Sequence, residues 1–195
     1  GAPGKVTVDG VEYSLGYKDL LYVGMGAREL QFTSDDPQHL AKFYLVSTTA
    51  HRSCPSKKIE FASVEPISLG SGKEASKRVL RKFILPETLQ TSQLTMGMTS
   101  IEPGNVWCNI PGHTHARKTE VFLIFELDAE EIVLFVVGEP TETRHLVVKN
   151  EEAVIVPGWS VHPGVGTGNY TLLWAMAGEN QVFSDADGLP MKDLK

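Results

Sequence analysis

Short runs of alternating apolar and polar residues dominate this chain. Residues 5–8 and 11–15 alternate in this way and are joined by Asp9-Gly10, a pair that accepts the positive φ angles of a two-residue hairpin turn. Further β-rich runs, most of them bounded by Gly, Pro, Asn or Asp, cover residues 20–23, 29–32, 92–100, 120–127, 132–137, 145–148, 153–156 and 170–175. The pattern predicts an all-β protein that opens with a β-hairpin.

Helical signals are sparse. One short helix is predicted over residues 38–44, with Asp35 or Asp36 as its N-cap and Pro37 in its first turn. Many strands at close spacing, separated by turn residues, are typical of a sandwich or barrel, and a jelly roll encloses a central cavity. We therefore expect any chemistry to lie inside such a barrel.

Composition and charge exclude several classes of function. The 195 residues are 42% hydrophobic and 22% charged with a net charge of −6, which is typical of a folded globular protein without affinity for nucleic acid. No run approaches the ~18 apolar residues of a membrane span, so no membrane partner is expected. Cys54 and Cys108 lie far apart and form no Cys-x-x-Cys unit, which favours reduced thiols and a cytoplasmic location.

The sharpest chemical signal is a pair of histidines followed by a carboxylate. His113 and His115 are two residues apart, so in an extended segment both rings point to the same side. Glu120 follows at the start of an apolar strand, and His162 follows a second strand and the turn Pro157-Gly-Trp-Ser. A lone His-x-His motif is as often surface decoration, but the second histidine segment favours one site for a divalent metal ion.

These segments resemble the two motifs of the cupin superfamily, in which His-x-His and Glu are joined by a distant His after a proline turn. Five longer sequence segments resemble the 5-keto-4-deoxyuronate isomerase family. These segments are Gln93-Leu-Thr-Met-Gly-Met-Thr99, Pro111-Gly-His-Thr-His115, Gly138-Glu-Pro-Thr-Glu-Thr-Arg-His145, Gly164-Val-Gly-Thr-Gly-Asn-Tyr170 and Ala177-Gly-Glu-Asn-Gln181. This resemblance covers essentially the whole chain. It departs from the family at Lys118, where an arginine is usual.

The resemblance implies a bicupin fold. It divides the chain into residues 1–85, a partial N-terminal cupin-like β unit and linker, and residues 86–195, a complete metal-binding jelly-roll barrel. Family members carry an N-terminal part ahead of the point where this chain begins, so the first barrel is expected to be incomplete. The family also assembles as a hexamer, so a homo-oligomer is expected.

The implied reaction is metal-dependent isomerisation of a sugar acid, 5-keto-4-deoxyuronate, to 3-deoxy-2,5-diketogluconate during breakdown of pectin. His113, His115, Glu120 and His162 would hold one divalent ion per chain. Three imidazoles and a carboxylate suit zinc first, with manganese, iron, cobalt or nickel also compatible.

Residues for proton transfer and substrate binding are less sharply indicated. Candidates for the acid or base in the matching segments are Glu142, His145 and Tyr170, each of which can equally be structural. A cation for the substrate carboxylate is expected from Arg117 or Arg144, and Trp159 can line the pocket or pack in the core.

Two other functions compete with the isomerase. A cupin acting on another small acid, including an iron oxygenase, would use the same ligand types. A non-catalytic carbohydrate sensor would bind metal and sugar without turnover. Oxygen consumption and turnover separate these possibilities.

Overall fold

The computed structural model describes residues 1–195 and contains β-strands and short turns but no α-helix. The strands are β1 (Gly4–Val8), β2 (Val11–Leu15), β3 (Leu20–Tyr22), β4 (Leu30–Ser34), β5 (Lys57–Ile59), β6 (Ile67–Leu69), β7 (Arg78–Ile84), β8 (Thr95–Ile101), β9 (Trp107–Cys108), β10 (Gly112–Thr114), β11 (Lys118–Phe125), β12 (Val133–Glu139), β13 (Glu142–Val148), β14 (Glu152–Val156), β15 (Gly164–Gly166), β16 (Thr171–Gly178) and β17 (Asp187–Leu189). Three 3₁₀ turns lie at Phe61–Ser63, Gly72–Glu74 and Met191–Asp193. None of these helical turns has the length and apolar character needed to cross a lipid bilayer.

Two antiparallel sheets form the barrel. One has six strands in the order β14-β11-β16-β8-β7-β6, and the other has four in the order β13-β12-β15-β9. From β11 to β16 the chain crosses repeatedly between these two sheets, as it does in a jelly roll. The predicted all-β jelly roll is confirmed.

The core between the two sheets follows from strand periodicity. Along β11, every second residue is buried, so one face of the strand points into the barrel. Phe122 and Ile124 from this strand pack in one cluster with Val133 and Phe135 from β12, and the rings of Phe122 and Phe135 lie 5.0 Å apart. These contacts hold the two sheets together.

The N-terminal third of the chain packs on the outer face of the six-stranded sheet. It forms a three-stranded sheet, β2-β1-β4, and a separate pair, β3-β5. Tyr22 and Cys54 from this region share a core cluster with Phe83 and Met98 from the barrel. The central strands β7, β8 and β16 of the six-stranded sheet are thus covered on both faces. The predicted opening hairpin is confirmed.

The predicted helix over residues 38–44 is wrong. The Asp36 carboxylate accepts a hydrogen bond from the Gln38 amide at 2.8 Å, which makes a turn rather than a helix cap. The Leu40 carbonyl accepts from the Ala2 amide at 3.2 Å, so the backbone pairs with the N-terminal segment instead of with itself. Leu40 is 66% exposed, and no apolar stripe offers packing energy for a helix.

The division at residue 85 stays a prediction. β7 lies before this boundary and β8 after it, and the two strands pair from Arg78↔Ile101 to Ile84↔Met96. β6 and β7 therefore complete the six-stranded sheet of the barrel, although the alternation along residues 78–84 is weak and does not predict a strand.

Candidate metal centre

The structure brings His113, His115 and His162 together, with ring nitrogen atoms that all lie within 4.8 Å of one another. His113 lies on β10, His115 directly follows that strand, and His162 follows the turn after β14. The Glu120 Oε2 atom, on β11, lies 3.4 Å from the Nε2 atoms of both His115 and His162. Four donor groups from three separate segments of the chain thus converge at one site.

The proline turn ahead of His162 is fastened to the segment that carries the other histidines. The His115 amide donates a hydrogen bond to the Gly158 carbonyl at 2.9 Å. A Cβ atom at Gly158 would lie 2.5 Å from the His115 carbonyl oxygen and 2.8 Å from that of Lys118, so this close approach requires glycine. The turn and the ligand loop form one unit because of this contact.

Hydrogen bonds to backbone carbonyls orient two of the rings. His115 Nδ1 lies 2.8 Å from the Asp185 carbonyl oxygen, and His162 Nδ1 lies 3.3 Å from that of Ser160. A carbonyl can only accept, so Nδ1 carries the proton and Nε2 presents its lone pair to the centre of the group. In this tautomer the imidazole can coordinate a metal through Nε2.

The group carries little positive charge of its own. Burial lowers the pKa of His113 to about 4, and the nearby charge of His115 makes a smaller contribution in the same direction. Burial likewise lowers the pKa of His162 to about 3, with a smaller contribution from the charge of His113. Burial also raises the pKa of Glu120. These shifts keep the His113 and His162 imidazoles neutral near pH 7, as metal ligation requires.

Atoms that can bind a metal ion line the centre of this site. The buried Glu120 Oε2 atom has no hydrogen-bond partner, and the Nε2 atoms of His113 and His162 lie 3.0 Å apart, within hydrogen-bond distance. A buried acceptor left unpaired is costly, and a cation at this point could be bound by the Glu120 carboxylate and the three imidazoles at once. The residues present therefore fit a divalent metal ion.

The C-terminal segment closes over this group. β17 pairs with β10 in the register His113↔Gly188, and the Asp185 carbonyl holds His115. The buried Lys118 ammonium donates to the Val182 carbonyl at 2.8 Å. Sequence reasoning missed this role because residues 179–190 show neither strand periodicity nor metal-ligand spacing.

A cavity of about 310 Å³ opens beside the group and is lined by His113, His115 and Glu120. This volume falls in the range of small-molecule sites, about 300–1,000 Å³. Its apolar wall consists of Leu69, Leu80, Ile110, Pro111, Trp174, Met176, Phe183 and Ala186, and its further polar groups are Arg78, Thr99, Asn109 and Ser184. None of these four polar residues was given a role from sequence, because they lie outside the histidine motifs.

The structure places the other sequence-predicted residues away from this cavity. Glu142 and Arg144 form an exposed ion pair on β13 at 2.8 Å, and His145 is exposed on the same strand. Trp159 is 56% exposed, so it neither lines this cavity nor packs in the core. Their expected roles gain no support from these positions.

Tyr170 and Arg117 are also outside the cavity. Tyr170 is buried in the barrel core, where its hydroxyl has no hydrogen-bond partner and burial raises its pKa well above the ordinary value. Arg117 pairs with Glu179 at 3.7 Å and lines a separate, open depression of about 610 Å³ that contains none of the four convergent residues. No hydrophobic residue lines that depression, so we place the chemistry in the smaller cavity, which borders His113, His115 and Glu120.

Comparison with known sequences decides the family. The sequence pattern of the KduI/IolB family matches residues 3–188. The chain belongs to the KduI/IolB family. Its relatives include proteins named 4-deoxy-L-threo-5-hexosulose-uronate ketol-isomerase from Caldicellulosiruptor bescii, 51% identical over all of this chain and 71% of the relative, and from Dickeya dadantii, 46% identical over all of this chain and 70% of the relative. The resemblance stated from the sequence segments is confirmed.

Solved structures agree with the fold of this family member. An IolB-like protein from Salmonella typhimurium LT2 superimposes with a TM-score of 0.72 at 15% identity, over 96% of this chain and 76% of that chain. An oxalate decarboxylase from Lactobacillus farciminis superimposes with a TM-score of 0.51 at 14% identity, over 68% of this chain and 35% of that chain. At these identities the likeness shows the fold alone.

Proposed function

We propose that this KduI/IolB family member is a metal-dependent ketol isomerase that interconverts 5-keto-4-deoxyuronate and 3-deoxy-2,5-diketogluconate. The observation that carries the proposal is the convergence of three imidazoles and an unpartnered buried carboxylate at the wall of a cavity. The names of relatives that are 46–51% identical over the whole chain support the same reaction.

We infer that His113, His115, Glu120 and His162 hold one zinc ion per chain, since these ligand types suit zinc. Zinc bound here would supply a Lewis acid that stabilises the negative charge developing on the substrate carbonyl oxygen. The carbonyls of Asp185 and Ser160 keep the His115 and His162 rings in the coordinating tautomer.

The proton must move between adjacent carbons of the substrate inside the cavity. Glu120 is the one carboxylate that lines the cavity, and it is also a proposed zinc ligand. A carboxylate can coordinate zinc through one oxygen and leave the other for a proton, so we infer that Glu120 transfers the proton in preference to Glu142, His145 and Tyr170, which do not line the cavity. The apolar wall excludes water and limits exchange of the proton with solvent.

The substrate and setting follow from the same proposal. A six-carbon sugar acid fits the volume of the cavity, and such acids arise during pectin breakdown. Both cysteines are unpaired, which favours a reducing compartment such as the cytoplasm.

The test is metal content and isomerase turnover, compared between the unmodified protein and the His162→Ala variant. We expect about one zinc ion per chain and measurable turnover in the unmodified protein, with weaker zinc binding and loss of turnover in the variant, because one of the four ligands is removed and the geometry of the site changes. His39→Ala removes an exposed histidine that contacts Asp36 on the surface and serves as the matched control.

The same measurement separates the competing functions. Zinc without turnover would favour a carbohydrate sensor, and bound iron with oxygen consumption would favour an oxygenase. The absence of any bound metal in the unmodified protein would refute the proposal.

A further inference from the structure

One cation faces the cavity without an anionic partner. Arg78 is the one arginine or lysine among the residues that line the cavity. It takes part in none of the ion pairs of the protein, which extend to N–O distances of 4.0 Å. Burying a cation without a counter-charge costs free energy, as burying an unpaired acceptor does, so an anionic ligand would stabilise it.

Strand pairing directs Arg78 to the inner face of the barrel. It pairs with Ile101, and two residues further along β7, Leu80 pairs with Thr99. Residues directly opposite each other in an antiparallel pair have side chains on the same face, and Leu80 and Ile101 both belong to the inner core. The side chain of Arg78 therefore points inward at the end of β7.

The guanidinium is held from one side only. Its Nη1 atom donates to the Ser76 carbonyl at 2.8 Å, and no other hydrogen bond of the Arg78 side chain is formed. A guanidinium has five N–H donors in a planar fork, so donors remain for a ligand. Burial raises the pKa of the core residue Cys108 to about 12, and the positive charge of Arg78 opposes that increase, which is consistent with an inward position.

We propose that Arg78 binds the carboxylate of the sugar acid, so that the opposite, carbonyl end of the same molecule faces His113, His115 and Glu120. This inference rests on the proposed function and adds a specificity residue to it. A planar guanidinium pairs with a carboxylate through two parallel hydrogen bonds. Arg117 and Arg144 already pair with glutamates and do not line the cavity.

Neighbouring groups support a sugar between these two ends. The Thr99 side chain lines the cavity and is buried, and the Asn109 amide, which also lines it, donates to the His162 carbonyl at 3.4 Å. Hydroxyl and amide groups can bind sugar hydroxyls, while the Trp174 ring offers an apolar surface for the carbon skeleton. A site with a cation at one end and a metal group at the other selects acids over neutral sugars.

The experiment uses the zinc-loaded protein and its Arg78→Gln variant. Galacturonate and its uncharged methyl ester serve as binding probes in calorimetry, and 5-keto-4-deoxyuronate serves as the substrate for kinetics. We expect Arg78→Gln to keep its zinc, to bind galacturonate about 30- to 300-fold more weakly and to bind the ester unchanged, since the loss of a paired charge removes roughly two charge-assisted hydrogen bonds. KM should rise by a similar factor.

Two further variants sharpen the result. Arg78→Lys keeps the positive charge but loses the two-pronged guanidinium geometry. Its affinity for galacturonate should therefore lie between those of the unmodified protein and Arg78→Gln. Arg78→Lys also keeps the inference testable if Arg78→Gln does not fold. Arg28→Gln removes an exposed arginine that lies outside the cavity, so it should change the affinity for neither galacturonate nor its methyl ester.

The outcomes are distinct. Unchanged preference for the acid over its ester in folded, zinc-loaded Arg78→Gln would overturn the inference, as would loss of that preference in Arg117→Gln or Arg144→Gln instead. If the unmodified protein prefers the acid through Arg78 yet converts no 5-keto-4-deoxyuronate, this inference stands and the proposed function fails.

Discussion

At the scale of single residues, the site depends on groups that leave no trace in a ligand motif. The Asp185 carbonyl orients His115, and Gly158 allows the proline turn to touch the segment that bears His115 and Lys118. Every residue has a backbone carbonyl, and glycine occurs in many turns, so neither feature can be recognised from the sequence as part of a metal site. Only the spacing of His113, His115, Glu120 and His162 could be read in advance.

Gly158→Ala should disrupt both the turn and the metal group. The added Cβ atom would lie 2.5 Å from the His115 carbonyl oxygen, so either the turn or the ligand loop must shift. We expect a loss of about 1–3 kcal/mol in the free energy of unfolding, typical of overpacking, together with weaker metal binding. Chemical denaturation and competition with a chelator measure the two effects.

Gly16→Ala is the control for that variant. The nearest atom to its added Cβ would be the Asp19 carboxylate at 3.4 Å, an ordinary contact distance. We expect little change in stability and none in metal affinity. Equal behaviour of the two variants would contradict the argument that close approach at Gly158 positions the site.

At the scale of elements, a cluster of polar side chains joins the N-terminal region to the barrel. The Glu126 carboxylate accepts hydrogen bonds from the Tyr17 hydroxyl at 2.7 Å, the Lys18 ammonium at 2.6 Å and the Thr171 hydroxyl at 2.6 Å. Burial alone would raise the pKa of Glu126, but these hydrogen bonds outweigh it and lower the pKa below its ordinary value. The carboxylate is thus stabilised in its charged form.

Stability should therefore depend on pH through Glu126. A carboxyl group whose pKa is lowered by folding stabilises the protein above its unfolded pKa of about 4.3, and this contribution is lost as pH falls through the lower, folded pKa. Glu126→Gln should cost about 1 kcal/mol at pH 7, a modest value because the side chain is 35% exposed and screened by solvent.

Denaturation at several pH values measures this effect. The difference between the unmodified protein and Glu126→Gln should shrink as the pH falls below the unfolded pKa of about 4.3, and it should vanish below the lower, folded pKa, where Glu126 is protonated in both states. Glu130→Gln alters an exposed glutamate with no ion pair and should leave the profile unchanged. A difference that stays constant from pH 7 to pH 3 would contradict the assignment.

At the scale of the whole molecule, the outer surface indicates further contacts. Leu146 and Val147 on β13 are 42% and 53% exposed, and Ile155 on β14 is 72% exposed. β13 and β14 are edge strands of their respective sheets. Exposed apolar side chains on adjacent edge strands are typical of surfaces that associate.

We predict that the protein forms a homo-hexamer, as its resemblance to the isomerase family implies. Light scattering should give six times the 21.4 kDa of one chain. Ile155→Glu should shift the assembly toward smaller species, because a charge would be buried at the contact. A shift in Val11→Glu rather than in Ile155→Glu would place the interface on β2, and a monomeric unmodified protein would refute the prediction.

Local sequence determined the opening hairpin, most of the barrel strands and the grouping of the histidine ligands. Strand alternation and the i, i+2 spacing act within a few residues, so they can be read without knowing what lies nearby in space. The same reasoning failed at residues 38–44, where the Leu40 carbonyl accepts a hydrogen bond from the distant Ala2 amide.

Tertiary structure alone decided which polar residues share the cavity. Arg78 reaches it from β7 and the Asp185 carbonyl from the C-terminal segment, whereas Glu142, Arg144 and His145 stand on the outside of an edge strand although their sequence lies close to that of the motif. Strand pairing between distant segments sets these positions, and nothing in a local pattern of residue types specifies the partner strand or the face it covers.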